Sequence, residues 1–512
     1  MESYFSILFA LFFFPFTILL YQIFPNSKRG YVLLSASLIF FWSISGTLIL
    51  FMFISTLLIY CFGLWTETYL KAASNKKSFQ SKQKVLCIVI ILLIGILVLC
   101  KYTGFFLGNL NNFFTWIKIP FNIQGFNIGI PIGISFYTLQ AISYCVDVYH
   151  QKIRADRYFP RLLLYLVFFP TIMEGPICRY EQTAYDLWKG QSITYESLTF
   201  GLQRILWGIF KKLIIADRLN PMVDELFSYY TKYGGEMVLI AMISYTIQLY
   251  MDFSGTMDVV IGMAEIFGIR LPENFRQPFF SKSISEFWQR WHITLGTWFK
   301  DYLFYPISMS KFSKKLTRKT RKKLGYYYGP LLVGSIALFA VWLANGLWHG
   351  AGWNYIFFGI YHFILILGGN LIHPWIQKKH LQFDNGVFRY FAIIRTTILV
   401  CIGELFFRAN GLQNAFAMFQ KMFTDFKPYR VVNIALKDLH IDIQGLILIG
   451  ICLVVVFIFS VLKEKKIHIR MTLAKSPIVL RWSLFYILII SIIIFGAYGT
   501  GYVPVDPMYA SY

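Results

Sequence analysis

Gly445–Leu462 reads GLILIGICLVVVFIFSVL, eighteen residues without a charge or a proline. At about 1.5 Å per residue, a helix of that length reaches across most of the ~30 Å hydrocarbon layer of a bilayer. No water inside that layer can satisfy backbone N–H and C=O groups, so such a run is read as a membrane-spanning helix. Working outward, Val85–Cys100 (VLCIVIILLIGILVLC) has the same character. Comparable stretches recur near 5–24, 31–45, 47–65, 126–146, 159–178, 198–216, 237–266, 326–347, 354–372, 388–407 and 478–497. The pattern predicts an all-α polytopic membrane protein with about eleven to thirteen transmembrane or re-entrant helices. Two of the stretches carry charge or several glycines and are expected to be tilted, broken or re-entrant, which requires that protein or a water-filled cavity cover their backbone.

Composition excludes the alternatives. Of the 512 residues, 57% are hydrophobic and 14% charged, against roughly 25% charged in soluble proteins. The excess of 48 Lys and Arg over 25 Asp and Glu, a formal +23, would suggest nucleic acid in a soluble chain. Here the cations sit in short connections: Lys28 and Arg29; Lys71 to Lys84; Lys211, Lys212 and Arg218; Lys311 to Lys323; Lys378 and Lys379; Lys463 to Arg470. That is the positive-inside pattern of cytoplasmic loops, so no nucleic-acid partner is expected. Counting crossings between clusters places both termini outside the cytoplasm, with the parity of 100–300 left open. Phe5–Phe24 has neither a basic segment before it nor a small-residue cleavage site after it, and is expected to be a retained first span. Seven scattered cysteines without a C-x-x-C pair predict no disulfide framework and no zinc site. The longest polar connections, 66–84 and 424–444, are too short to fold alone. The chain is therefore expected to be one membrane-embedded domain over 1–512, with N-terminal spans in 1–100, a core in 126–410, and C-terminal spans plus an outer tail in 445–512.

Chemistry concentrates in two places. Leu271–Phe304 (LPENFRQPFFSKSISEFWQRWHITLGTWFKDYLF) mixes Trp288, Trp291 and Trp298 with Arg276, Lys282, Glu286, Arg290, Lys300 and Asp301. An amphipathic helix anchored in the headgroup layer has this composition, and so does a re-entrant element; His292 favours a functional role. The second place is Trp348-His349-Gly350-Ala351-Gly352-Trp353, between two apolar spans. An ionisable group in a transmembrane bundle is costly and marks a functional site by default, and neutral imidazole is the usual general base near pH 7. The competing account of His349 is a hydrogen bond to a neighbouring helix carbonyl; His362 reads as structural. The intramembrane acids Asp147, Glu174, Asp252, Asp258 and Glu404 are expected to pair with arginines. Asp252 and Asp258 are six apart, off a common helical face, so a paired-carboxylate site is not indicated. There is no P-loop, G-x-S-x-G, H-E-x-x-H or dinucleotide fingerprint.

In order along the chain lie PIGISFY (131–137), FFPTIMEGPICRY (168–180), the block from Asp252 to Leu303, LWHGAGWNYIFFGIYH (347–362) and GELFFRAN (403–410). Over nearly its whole length the sequence resembles the membrane-bound O-acyltransferases, in particular the bacterial branch of alginate and peptidoglycan O-acetylation proteins. A sister branch, the teichoic acid D-alanylation acyltransferases, shares the middle and W-H-G blocks but lacks the F-F-R-A block and the extended tail. The resemblance implies helices around a central acyl-transfer tunnel faced by His292 and His349, with His349 the principal catalytic residue. It implies an acyltransferase that moves an acyl group, acetyl in the leading reading, from a cytoplasmic thioester such as acetyl-CoA to an exported cell-surface polysaccharide. D-alanyl transfer to teichoic acid is the runner-up within the class, and a polytopic transporter or flippase the alternative outside it.

No bound cofactor or metal is implied. A separate extracytoplasmic, esterase-like partner of the SGNH type would complete the transfer, and the chain would reside in lipid as a multi-pass protein of a bacterial cytoplasmic membrane. Arg290, Trp291 and Lys300, flanking His292, are the candidate donor contacts, with the Lys311–Lys323 run as a solvated alternative. The sequence departs from the branch at Glu174, where a small residue is common before G-P-I, and in a tail that reads PMYASY. Tyr509 matches the tyrosine of the branch's aromatic tail motif, which makes it the candidate tail acyl acceptor or partner contact.

Overall fold

A computed structural model describes residues 3–72, 76–120, 122–125, 128–378, 386–433, 436–499 and 505. Among the described residues the regular elements are all helical. Eight stretches among these residues are long and apolar enough to cross a membrane: Asn26–Thr68, Ser81–Trp116, Gly235–Ile266, Lys311–His349, Trp353–Lys378, Gly386–Arg408, Ile443–Glu464 and Ile478–Phe495. The first of these bends at Gly46 (φ 52°), where a left-handed residue ends the helix Asn26–Ser45 before Ile49–Ala72 begins. This agrees with the two separate spans read at 31–45 and 47–65. All seven cysteines are free thiols.

Other expected spans are broken, for local reasons. The run 159–178 divides into Phe159–Val167 and the single turn Phe169–Ile172, separated by Phe168 at φ −49°, ψ 114°. Pro170 lacks an N–H and cannot continue a helix begun before it, so the chain breaks and restarts with the proline in a first turn. Within the run 126–146, the described residues from 128 on become helical at Ile134, after left-handed Gly133. A Cβ on Gly133 would lie 1.9 Å from the Ile172 carbonyl oxygen, so glycine alone fits there. The run 198–216 is Tyr195–Ile209 followed by a π-helical stretch, Phe210–Ala216.

The chain divides into two compact units, one built on residues 1–205 and 260–272, the other on 206–259 and 273–508. In the first, the FFPTIMEGPICRY segment is almost wholly buried. Tyr4 Oη donates to the Phe169 carbonyl at 2.8 Å and accepts from Met173 N at 3.1 Å. Asp156 accepts two bonds from Arg161 at 2.7 Å and one from Tyr180 Oη, and its backbone N–H donates to Tyr144 Oη at 2.8 Å.

In the second unit, Gly208 lies against Gly255, where a Cβ on either would fall within 3 Å of the other's carbonyl oxygen. Small residues permit such close backbone approach between helices. Just beyond that crossing, Lys212 is fully buried between Asp217 at 2.6 Å and Asp252 at 2.8 Å, and also donates to the Val505 carbonyl at 3.0 Å. Lys211 meets Asp258 at 2.7 Å and Ser254 at 2.9 Å. Two expectations are corrected here. Lys211 and Lys212 are not solvated loop cations marking topology: the short π-helical stretch turns both inward. And three of the five acids take lysine partners, Asp252 and Asp258 from adjacent lysines and Asp147 from Lys152 at 3.2 Å. A flexible lysine stem can reach a carboxylate within a tight crossing that a planar guanidinium would not enter.

Candidate active site

The helix Lys311–His349 is interrupted at Gly325 (φ 78°), which separates its basic first turns from the apolar span, and it ends on His349. The chain then leaves in extended form at Gly350 (φ −174°). A Cβ on Gly350 would lie 2.3 Å from the Tyr355 ring. Glycine at that position therefore lets the W-H-G turn close on Tyr355. His349 is 2% exposed. Its imidazole meets Trp348 edge-on at 5.1 Å between centroids, Phe407 at 5.2 Å and Phe358 at 5.9 Å. Phe407 comes from the F-F-R-A block, so the GELFFRAN motif supplies one wall of this enclosure.

At the centre of the Leu271–Phe304 block, two short helices, Ile284–Arg290 and Ile293–Phe299, are joined at Trp291 and His292. His292 is left-handed (φ 45°, ψ 52°), a conformation that is strained for a residue with a side chain. Backbone bonds hold it, from Arg276 N to the Arg290 carbonyl at 2.9 Å and from Ile293 N to the Asn274 carbonyl at 3.0 Å. With His292 only 2% exposed, the segment is a broken element folded into protein rather than a continuous amphipathic helix lying on a surface. Burial pushes the His292 imidazole down to a pKa of about 3, so it is neutral at physiological pH. It lies edge-on to Phe253 at 4.9 Å and to Trp348 at 5.6 Å. Trp348 thus contacts both His292 and His349, and the two sequence-predicted histidines come together around one indole.

Other expected site residues are engaged elsewhere. Arg290 pairs with Glu286 at 2.8 Å and, through both terminal nitrogens, with Glu464 at 2.9 and 3.1 Å. Trp291 is 3% exposed and packs against Phe275, Phe287 and Tyr250 at 5.0, 5.4 and 5.8 Å. Lys300 is exposed, its ammonium 5.6 Å from the Tyr305 ring. Tyr509 lies outside the described residues. His362 is fully buried, stacked near-parallel on Trp342 at 5.4 Å, and its Nδ1 accepts from Trp288 Nε1 at 3.2 Å; this is a structural environment. Asn274, which contacts His292 directly at 3.2 Å, was not picked out by its sequence. Its one signal is its place in PENF, inside the motif block but eighteen residues from the histidine.

Two buried histidines therefore share one aromatic wall in a chain with several membrane-length helices. The comparisons place the chain within a family: a family model described as MBOAT, membrane-bound O-acyltransferase family, matches residues 151–320. Over 421 residues the chain is 32% identical to the "Probable alginate O-acetylase AlgI" of Azotobacter vinelandii, covering 82% of this chain and 77% of that one. It is 30% identical over 355 residues to the "Peptidoglycan O-acetyltransferase" of Helicobacter pylori, covering 64% and 62%. It is also 32% identical over 292 residues to the "Teichoic acid D-alanyltransferase" of Bacillus subtilis, covering 56% and 70%. The chain belongs to the membrane-bound O-acyltransferase family and is a multi-pass membrane acyltransferase. The transporter alternative is thereby set aside.

Proposed function

We propose that the protein takes an acetyl group from a thioester, acetyl-CoA, at the cytoplasmic face of a bacterial inner membrane and delivers it through the membrane for O-acetylation of an exported cell-surface polysaccharide. The observation that supports this best is the placement of His349. It is a buried imidazole at a helix end, walled by Trp348, Phe358 and Phe407 and linked through Trp348 to His292. Similarity to an alginate O-acetylase over 82% of the chain favours acetyl as the group and a polysaccharide as its destination.

Chemically, O-acylation replaces a thioester C–S bond with an ester C–O bond. The attacking hydroxyl must lose a proton and the departing thiolate must gain one. A neutral imidazole does both in turn, as base and then as acid, and His349 takes that role. His292 is its partner in the site, orienting the thioester or the incoming hydroxyl. Lys300 is the more available of the cations proposed for donor phosphates, because Arg290 is already paired with two carboxylates. Trp291 would contribute by shaping the site through its aromatic packing. An extracytoplasmic SGNH-type, esterase-like partner completes the transfer to the polysaccharide in this reading, with Tyr509 of the outer tail as the docking contact or transient acyl carrier. Both termini would then be extracytoplasmic.

The test is acyl identity. Membranes containing the protein, its extracytoplasmic partner and the acceptor polymer are given radiolabelled acetyl-CoA, or a carrier protein charged with radiolabelled D-alanine. Label in the polymer from acetyl-CoA alone is expected. Label from the D-alanyl carrier alone would overturn the proposal in favour of the chemistry named for the Bacillus subtilis relative.

A further inference from the structure

The environment of His292 determines where its proton sits. Asn274 Oδ1 faces three groups: the Thr294 backbone N–H at 3.1 Å, the Thr294 hydroxyl at 2.9 Å and His292 Nδ1 at 3.2 Å. A backbone N–H can only donate, so the atom that meets it must be the amide's carbonyl oxygen and not its NH₂. The other end of the amide agrees, since Asn274 Nδ2 points at Met257 Sδ at 3.2 Å, a weak acceptor. With the amide orientation fixed, His292 Nδ1 faces an oxygen that can only accept. A lone pair there would repel that oxygen, whereas an N–H satisfies both groups.

We propose that Asn274 is a positioning residue for acyl transfer, holding the proton of His292 on Nδ1 so that Nε2 carries the lone pair. The inference rests on the reading that His292 serves the reaction. Asn274 is suited to the task because it is gripped twice: its own carbonyl accepts from Ile293 N, and its side chain accepts from Thr294. The left-handed backbone of His292 then delivers the imidazole edge to that fixed oxygen. With Nδ1–H committed to Asn274, Nε2 is the nitrogen able to accept a hydroxyl proton or a donor's N–H. His362 provides an internal contrast. An indole N–H can only donate, so the bond from Trp288 Nε1 to His362 Nδ1 makes that ring the opposite tautomer, protonated on Nε2 and spent as an acceptor.

Nitrogen-15 NMR of histidine-labelled protein in lipid reads this directly, because protonated and unprotonated ring nitrogens resonate far apart. The His292 and His362 signals are assigned by their disappearance in His292→Gln and His362→Gln. The parent should show His292 protonated at Nδ1 and His362 protonated at Nε2; His292 protonated at Nε2 overturns the proposal from the parent spectrum alone. Asn274→Leu, which removes the acceptor at similar volume, should release the Nδ1–H signature and lower acetyl transfer at least tenfold. Asn274→Asp, which keeps an acceptor oxygen, should restore both in large part. A Nδ1–H parent signal with full transfer by Asn274→Leu would leave the tautomer standing and overturn the positioning role, and would do so without touching the assignment of His349.

Discussion

Replacing Lys212 with methionine should be among the most destabilising single changes in the chain. The lysine side chain is 0% exposed, and its two carboxylates, Asp217 and Asp252, are 9% and 5% exposed. Solvent therefore screens neither pair. Methionine preserves the length of the stem but removes the ammonium that lies between the two buried carboxylates. Breaking a buried ion pair from one side costs about 3–5 kcal/mol, most of it the burden of the abandoned charge. At roughly 2 °C per kcal/mol for a large domain, the unfolding midpoint should fall by about 6–10 °C. The assay is tryptophan fluorescence against temperature in a fixed detergent, comparing the parent, Lys212→Met, and the triple variant Lys212→Met with Asp217→Asn and Asp252→Asn. The triple variant should recover much of the loss, because an uncharged set can share hydrogen bonds without a counter-ion. A single variant as stable as the parent, or a triple variant worse than the single, would refute the view that these charges are tightly coupled in the interior.

Three further outcomes are expected. Gly350→Ala places a Cβ 2.3 Å from the Tyr355 ring, an overpacking that typically costs about 1–3 kcal/mol; acetyl transfer should drop, and adding Tyr355→Leu should recover part of it. Arg290→Glu sets a third carboxylate against Glu286 and Glu464 and should lower the unfolding midpoint, with Glu464→Arg added in the same chain restoring it; a loss of donor binding with unchanged stability would instead assign Arg290 to the donor. His292 has a folded pKa near 3, depressed from 6.5 by burial, so the unfolded chain binds the extra proton first. The stability this group contributes is present in full above about pH 6.5 and is lost as pH falls toward 3. His292→Gln should flatten that part of the Tm-against-pH curve, and an unchanged slope would contradict a buried neutral imidazole.

How far the sequence carried these conclusions depended on the range of the interaction. Ile443–Glu464 and Gly386–Arg408 were legible because their apolar length alone decides the outcome, and the helix Lys311–His349 ends two residues beyond the span read at 326–347. The Phe168 break follows from Pro170, yet hydropathy averages across it and reads one span over 159–178. Lys211 and Lys212 looked like topology signals because composition cannot show that a π-helical stretch turns them toward Asp217, Asp252 and Asp258. Of the site, His292 and His349 stood out as ionisable groups in apolar surroundings. Asn274 did not, because a short polar residue in a proline-flanked loop gains its role only when the fold brings it against the imidazole and the Thr294 amide. Trp291 and Arg290 were drawn toward the donor by proximity in sequence to His292, whereas their side chains point into an aromatic cluster and a pair of carboxylates.

The central claim, that His349 is the base of an acyl transfer, is tested most directly by following label from acetyl-CoA into polymer with the parent and with His349→Ala, each quantified for its amount in the membrane and its unfolding midpoint. Loss of a general base usually costs about 10²–10⁴ in rate. The account predicts an equally abundant, folded variant whose transfer falls by that factor; transfer within a few-fold of the parent, from a folded protein at equal abundance, would contradict it.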